Sequence, residues 1–191
     1  MSGRLDREYF EELYAASRDP WNFETSDYER EKYRRTLDVL GNRRFRRALE
    51  VGASIGVFTE MLAGGCDELL AVDVSEKAVA AARERLQGQR HVTVERRTLP
   101  EEMPEGPFDL ILASEVLYYF TREEMIAMLY GFETMLASGG ALLAVHWRRE
   151  TQTYPLQGDE VHELLSSHTS LGLTESVSEP DYRLDLFENR R

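Results

Sequence analysis

The first glycine turn of the chain places the carboxylate of Glu50 beside a stretch of backbone with two glycines, which have no side chains. The short apolar run Ala48 to Val51 includes Glu50 and is followed by two glycines four residues apart. A strand-to-helix turn of this kind exposes helix N-terminal N–H groups and lets a ligand approach the backbone closely. Glu50 would repel a pyrophosphate and attract an ammonium group. The pattern predicts a site for a ligand with an ammonium group at Glu50, Gly52, Ala53, Ser54 and Gly56.

A second acidic residue strengthens this interpretation. Asp73 closes the next apolar run, 21 residues after Gly52, where a Rossmann unit uses an acid to accept hydrogen bonds from a ribose diol. A helix cap is the alternative role, but Ser75 already fits that role for the helix that follows. The stretch from Gly52 to Gly56 also lacks the middle glycine of the dinucleotide fingerprint, which disfavours a nicotinamide dinucleotide.

The elements that must position these residues alternate along the chain after residue 46. Apolar strands are predicted at 47–51, 68–73, 91–95, 108–113 and 141–146, and helices at 56–63, 76–86, 122–136 and 159–167. Strand–helix units of this kind form a parallel sheet covered on both faces. Two last strands, about 171–178 and 181–188, flank Glu179-Pro180 and predict an antiparallel hairpin. Two helices, 4–18 and 27–40, precede the first strand, with Trp21 in the turn between them.

Composition narrows the function classes. The formal net charge of −12 argues against nucleic-acid partners, which need clustered Lys and Arg, and is compatible with a cationic or neutral substrate. The apolar runs are too short to span a membrane, and the N-terminus has no apolar signal region, so we expect a cytoplasmic protein. The single cysteine, Cys66, excludes an internal disulfide, and no metal site is expected.

The two strand-end motifs together resemble a known class of enzymes. Glu50-Val51-Gly52 through Gly56, then Ala71 to Ser75, is similar to the first two motifs of the class I S-adenosylmethionine-dependent methyltransferases, and Asp109 to Val116 is similar to their fourth-strand motif. More narrowly, the chain resembles the nodulation N-methyltransferases, which act on the free amine of chitooligosaccharides. The segments that carry this second resemblance are Asp19-Pro20-Trp21, Tyr28-Glu29-x-x-Lys32-Tyr33 and Ser114-Glu115-Val116-Leu117-Tyr118-Tyr119.

The resemblance implies a fold and a cofactor. It implies one α/β, Rossmann-like methyltransferase domain over 1–191, with a mostly parallel seven-stranded sheet, a C-terminal antiparallel hairpin and a helical cap (1–45) over the cofactor site. S-adenosyl-L-methionine would be the cofactor, with Glu50 near its methionine end and Asp73 on both ribose hydroxyls. The remaining contacts are expected at Val74, Thr98, Leu99, Ser114 and Trp21. Thr98 stands where many members carry an acid for the adenine amine.

The residues that would bind the methyl acceptor can be predicted from the chemistry of methyl transfer. The protein must hold the nucleophile near the methyl carbon and take a proton from an alcohol or an ammonium group. The candidate bases are Glu115, after the fourth strand, and His146, at the end of the fifth. Tyr118, Tyr119 and Trp147 would form the walls of the substrate pocket. The other three histidines, among them His162, are expected outside the site.

The sequence thus predicts a methyltransferase that acts on an amine or hydroxyl of a small polar metabolite, possibly a sugar or an oligosaccharide. The alternatives are a protein that binds S-adenosylmethionine or S-adenosylhomocysteine without turnover and an NAD-dependent oxidoreductase.

Overall fold

The computed structural model describes residues 3–191, so the first two residues of the predicted cap lie outside the described residues. The α-helices are α1 (Arg7–Ala16), α2 (Asp27–Leu40), α3 (Val57–Ala63), α4 (Glu76–Arg85), α5 (Arg122–Met135) and α6 (Gly158–His168). The strands are β1 (Phe45–Val51), β2 (Cys66–Asp73), β3 (Val92–Arg96), β4 (Phe108–Ser114), β5 (Leu136–Trp147), β6 (Gly172–Ser178) and β7 (Tyr182–Glu188). A short 3-10 helix, Leu117–Tyr119, follows β4.

The strands form a seven-stranded sheet in the order β3-β2-β1-β4-β5-β7-β6. β1 and β3 pair parallel to β2, and β4 pairs parallel to β5. β7 pairs antiparallel to both β5 and β6. The predicted α/β fold, with its mostly parallel sheet and its C-terminal antiparallel hairpin, is confirmed.

The fifth strand differs from its predicted course. The sequence predicts a strand at 141–146 and leaves Gly139-Gly140 in the turn before it, whereas β5 already begins at Leu136 and runs through both glycines. The pairing of β4 with β5 shifts register between Phe108 and Leu110. Gly139 takes a φ of +72°, and a Cβ on Gly140 would lie 2.9 Å from the carbonyl oxygen of Phe108. The glycines therefore permit an irregular, closely paired strand where the sequence predicted a loop.

The chain divides into two compact units. One unit, Asp6–Thr98, contains α1 to α4 and β1 to β3. Within it α1 packs on α4 and α2 packs on α3. Its buried side chains include Leu49, Ile55, Leu62 and Leu69. The two N-terminal helices are thus part of the same unit as the glycine turn.

The other unit is Leu99–Arg191 together with the first described residues up to Leu5. It contains β4 to β7 with α5 and α6. Helix α5 begins at a capping box, in which the Thr121 and Glu124 side chains each bond the other residue's backbone N–H. The core of this unit includes Phe108, Phe132 and Phe187, all fully buried.

Membrane-spanning helices and metal-binding groups can be considered for the described residues. Across residues 3–191, no helix combines the length and apolar character needed to cross a membrane. The same residues contain no group of three or more His, Cys, Asp or Glu that could hold a metal ion.

Cys66 is buried, and burial raises the pKa of its thiol to about 11, which fits a packing residue better than a nucleophile.

Candidate functional site

The glycine turn between β1 and α3 follows a course that only some residue types can adopt. Gly52 and Gly56 have φ angles of +78° and +79°, in the left-handed region that favours glycine. A Cβ on Gly56 would lie 3.1 Å from the Cβ of Ala82 in α4, so a side chain there would push the helix away. Ser54 has a φ of +51° although it is not glycine. Strain of this kind clusters at ligand sites.

Asp73, at the end of β2, is held by backbone donors on both sides. One carboxylate oxygen accepts from the Ser54 N–H at 2.8 Å and the other from the Ser75 N–H at 2.9 Å. Burial raises the pKa of Asp73, and these hydrogen bonds oppose the rise. Ser75 caps α4 through its own hydroxyl, as predicted, which leaves Asp73 free of that role. Asp73 is thus a half-buried, oriented acceptor directly beside the glycine turn.

Glu50 lies within the strand immediately before the turn and is buried. Burial raises its pKa to about 8; the Thr59 hydroxyl lowers it and the charge of Asp73 adds to the rise. Its Oε2 atom has no hydrogen-bond partner among residues 3–191. A buried carboxyl oxygen without a donor is costly, so this position suits a ligand that brings a donor with positive charge.

Helix α1 contacts the turn through Tyr14, a residue that the sequence analysis does not single out. The hydroxyls of Tyr14 and Ser54 lie 2.5 Å apart. Trp21 packs edge-on against Tyr14, with ring centres 5.7 Å apart, and stacks on Phe23. Trp21 therefore packs on α1 through Tyr14, the residue whose hydroxyl lies beside that of Ser54 in the glycine turn.

The predicted adenine contacts are divided between the two units. Val74 is half-buried beside Asp73, and the Thr98 hydroxyl accepts a hydrogen bond from Arg96 at 2.9 Å. The Arg97 N–H donates to the Asp73 carbonyl, which fixes the chain after β3 next to the end of β2. Leu99 belongs to the other unit, where it is buried and its carbonyl accepts from Arg4.

On the acceptor side, Glu115 follows β4 and the half-buried Ser114. Glu115 has a φ of +54°, again in the left-handed region although it is not glycine. Its Oε2 accepts from the Tyr118 hydroxyl at 2.6 Å and from the Trp147 N–H at 2.9 Å. The structure therefore brings together three of the residues predicted for base catalysis and substrate binding. Their arrangement is an oriented carboxylate on a strained turn.

Tyr118, which bonds this carboxylate, belongs to a cluster of tyrosine rings. Tyr118 and Tyr119 form the short 3-10 helix, both are buried, and their ring centres lie 4.7 Å apart. Tyr154 stacks on Tyr118 at 4.8 Å and meets Tyr119 edge-on. Tyr154 lies in the long loop before α6, where no periodic pattern points to it, so sequence reasoning missed it.

The placement of His146 does not fit a general base, because the ring is fully buried and both nitrogens are engaged. Its Nε2 accepts from the Leu117 N–H at 3.2 Å, and its Nδ1 lies 3.3 Å from Nε2 of His162. His162, which is expected outside the site, contacts the predicted base His146. The sequence could not show the contact because α6 brings the second ring in from 16 residues further along.

The sheet order, the acid-bearing glycine turn after β1 and the acid at the end of β2 define the class I methyltransferase fold. The sequence profile of the family "Nodulation protein S (NodS)" matches residues 7–154, and the chain therefore belongs to this family. The resemblance inferred from the residues is confirmed.

Individual relatives agree with this assignment. Nodulation protein S of Sinorhizobium fredii is 33% identical over 132 residues, which are 67% of this chain and 60% of that protein. Its counterpart in Rhizobium tropici is 35% identical over 130 residues, 67% of this chain and 55% of that protein. The chain thus spans roughly 55–60% of the length of these curated relatives.

A solved structure extends the match over almost the whole chain. The N-methyltransferase NodS from Bradyrhizobium japonicum, in complex with S-adenosyl-L-homocysteine, is 27% identical and has a TM-score of 0.87. The match covers 97% of this chain and 100% of that one.

Proposed function

We propose that this chain is an S-adenosylmethionine-dependent N-methyltransferase whose acceptor is the amine of a small polar metabolite, in particular an amino sugar or an oligosaccharide with a free amine. The observation that carries the proposal is the pair of acids at the glycine turn: Asp73, oriented by the Ser54 N–H, and buried Glu50 with an unpartnered oxygen. A nucleoside with a cationic end matches both acids, whereas a dinucleotide would bring its pyrophosphate against them.

The residues of the unit Asp6–Thr98 fit such a cofactor. Asp73 would accept from the ribose hydroxyls, Gly52 would let the ligand pass over the backbone, and Glu50 would face the charged methionine end. The α1 and α2 helices would form the cap, with Tyr14 bonded to Ser54. When bound, S-adenosylmethionine supplies an electrophilic methyl group on a sulfonium.

On the acceptor side we assign the proton transfer to Glu115. Its carboxylate would attract an ammonium group, orient it and accept its proton as the free amine becomes the nucleophile. The Tyr118 hydroxyl and the Trp147 N–H hold the carboxylate in place. Tyr119 and Trp147 would form the walls of the substrate pocket. Since a carboxylate is a weak base, it suits an ammonium acceptor better than an alcohol, which supports N- over O-transfer.

Two measurements on the purified chain test the proposal. Calorimetry should show binding of S-adenosylhomocysteine and none of NAD. Turnover should then be measured on deacetylated chitooligosaccharides, a panel of small amines and the matching alcohols, with methylated product identified by mass spectrometry. Failure to bind S-adenosylhomocysteine would remove the cofactor assignment. Binding without turnover on any amine would leave the non-catalytic alternative.

A further inference from the structure

A chain of three buried residues leads away from the acceptor turn. The His146 Nδ1 lies 3.3 Å from Nε2 of His162, and Nδ1 of His162 lies 2.7 Å from Oδ2 of Asp185. All three side chains are fully buried. His162 and Asp185 lie on α6 and β7, beyond residue 154, where the match to the family profile ends. Two of the three residues therefore lie outside the region that the family profile matches.

The hydrogen bonds have a single consistent direction. Because the Leu117 N–H donates to Nε2 of His146, that nitrogen carries no proton, and neutral His146 has its proton on Nδ1. Nδ1–H then donates to Nε2 of His162, whose own proton sits on Nδ1 and is donated to Asp185. A cationic His162 would have to donate from both nitrogens and would leave His146 without any ring proton. The directions of these hydrogen bonds therefore favour the Nδ1–H tautomer for both rings.

At the Asp185 end of this row of hydrogen bonds, the side chain is an ionised carboxylate. Oδ1 of Asp185 accepts from the Ser176 hydroxyl at 2.5 Å, and the Arg183 guanidinium lies 2.9 Å from Oδ2. Burial works to raise the pKa of Asp185, but the hydrogen bonds from His162, Ser176 and Arg183 outweigh it and lower the pKa. An ionised acceptor at this end strengthens the bonds along the chain.

At the other end of this row of hydrogen bonds, His146 holds the turn that carries Glu115. Leu117 stands between Glu115 and Tyr118, and its N–H is the group that His146 accepts. The same turn has the left-handed backbone of Glu115 and carries the Tyr118 hydroxyl that bonds the Glu115 carboxylate. A strained turn needs such outside support to persist.

We propose that His162 and Asp185 are positioning residues for methyl transfer, which act through His146 on the turn that carries Glu115. This inference rests on the proposed role of Glu115 as the group that contacts the acceptor. His162 and Asp185 touch neither acceptor nor cofactor. They keep His146 in the tautomer that accepts the Leu117 N–H, and so keep the Glu115 carboxylate in its reactive position.

The test compares three variants on one helix. His162→Phe removes both hydrogen bonds, and His162→Gln keeps an amide oxygen able to accept from His146. His168→Phe is the control, at a half-buried position of α6 that takes no part in these hydrogen bonds. We expect kcat to fall roughly 10- to 100-fold in His162→Phe, the cost of a displaced catalytic group. His162→Gln should recover most of the loss, and the Kd for S-adenosylhomocysteine should stay unchanged in all three. Equal kcat in His162→Phe and His168→Phe would overturn the proposal.

Nuclear magnetic resonance provides a readout that needs no turnover. In the wild type, nitrogen-15 shifts should show His146 and His162 as neutral Nδ1–H tautomers. A proton on Nε2 of His146 would overturn the proposal. This measurement needs only the wild type, so it remains decisive even if His162→Phe does not fold. With carbon-13-labelled glutamate, the Glu115 carboxyl signal, assigned by its loss in Glu115→Gln, should shift in His162→Phe and not in His168→Phe. If the wild type methylates no amine, the proposed function fails, while this signal still decides whether His162 positions Glu115.

Discussion

The hydroxyl of Tyr14 lies 2.5 Å from the hydroxyl of Ser54, and the N–H of Ser54 donates to Asp73 at 2.8 Å. One residue of the glycine turn thus joins a helix of the N-terminal segment to the acid proposed to hold the ribose. Burial raises the pKa of Tyr14, so its hydroxyl keeps its proton at neutral pH and can donate. Helix α1 is therefore a structural part of the cofactor turn.

Removing the Tyr14 hydroxyl should weaken cofactor binding moderately. In Tyr14→Phe the ring still packs on Trp21, but Ser54 loses its partner, so the strained turn is less well held. We expect the affinity for S-adenosylhomocysteine to fall by about 0.5–1.5 kcal/mol, the net value of one hydrogen bond. Calorimetry on Tyr14→Phe, with Tyr9→Phe on the same helix as the control, measures this. Identical affinities in the two variants would mean that α1 does not support the turn.

Asp73→Ala should have a larger effect because it removes a charged acceptor. We expect S-adenosylhomocysteine to bind ~1.5–3 kcal/mol more weakly, the range for hydrogen bonds to a charged group. Asp67→Ala is the matched control, since Asp67 lies on the same strand in an exposed ion pair with Arg44. An unchanged Kd for Asp73→Ala would exclude Asp73 from the ribose site.

Glu50 should make the folded protein less stable as the pH rises. Its folded pKa of about 8 is above the ordinary value of 4.5, so between these values the folded state binds more protons than the unfolded state. The contribution of this group to the free energy of unfolding is fully present below pH 4.5 and is lost as the pH rises through 8. Glu50→Gln should therefore be more stable than the wild type by on the order of 3 kcal/mol at pH 7. Urea unfolding at pH 5, 7 and 8 measures the difference, which should grow with pH. A constant difference would mean that Glu50 is already ionised.

The same carboxyl should release a proton when the cofactor binds. With a pKa of about 8, Glu50 is mostly neutral at pH 7, and a cationic ligand end beside it favours the ionised form. Calorimetry of S-adenosylhomocysteine binding in two buffers of different ionisation enthalpy should detect proton release at pH 7, and affinity should increase from pH 6 to 8. Glu50→Gln should abolish both effects. Proton release that persists in Glu50→Gln would have to come from another group.

The fold could be predicted from the sequence because its signals are local. Apolar runs, glycines and caps fix where each strand and helix begins, and parallel strands place their end residues, such as Asp73 and Glu115, at sheet edges where ligands bind. The irregular start of β5 was missed because Gly139-Gly140 is an equally good turn signal, and only the neighbouring Phe108 carbonyl shows why glycine is needed inside the strand.

The contacts of the candidate site could be predicted only in part. The sequence singles out the acids because ligands bind beyond the carboxyl ends of parallel strands, where a carboxylate has a specific chemical use. Tyr14 and His162 were not found because each lies in an apolar helical stripe, where a polar tip looks like core packing, and its partner is 40 or 16 residues away. Likewise, a strand-end imidazole such as His146 suits a general base, and only the burial of the ring and its two contacts argue against that role.

Glu115→Gln tests the acceptor side. The amide keeps the volume of the carboxylate but can neither attract an ammonium group nor accept its proton, so we expect kcat to fall about 100- to 10,000-fold, the range for general base catalysis. The Kd for S-adenosylhomocysteine should stay the same. Glu123→Gln, an exposed carboxylate in the first turn of α5, is the control and should have wild-type kcat.

Tyr118→Phe separates positioning from charge at the same carboxylate. It removes the 2.6 Å hydrogen bond to Glu115 but leaves the Trp147 N–H bond and the negative charge. Turnover should therefore fall less than in Glu115→Gln, by roughly tenfold for about 1.4 kcal/mol of lost orientation. Turnover in Glu115→Gln equal to that of Glu123→Gln would show that Glu115 only shapes the turn, and the proton would then have to leave the amine by another route.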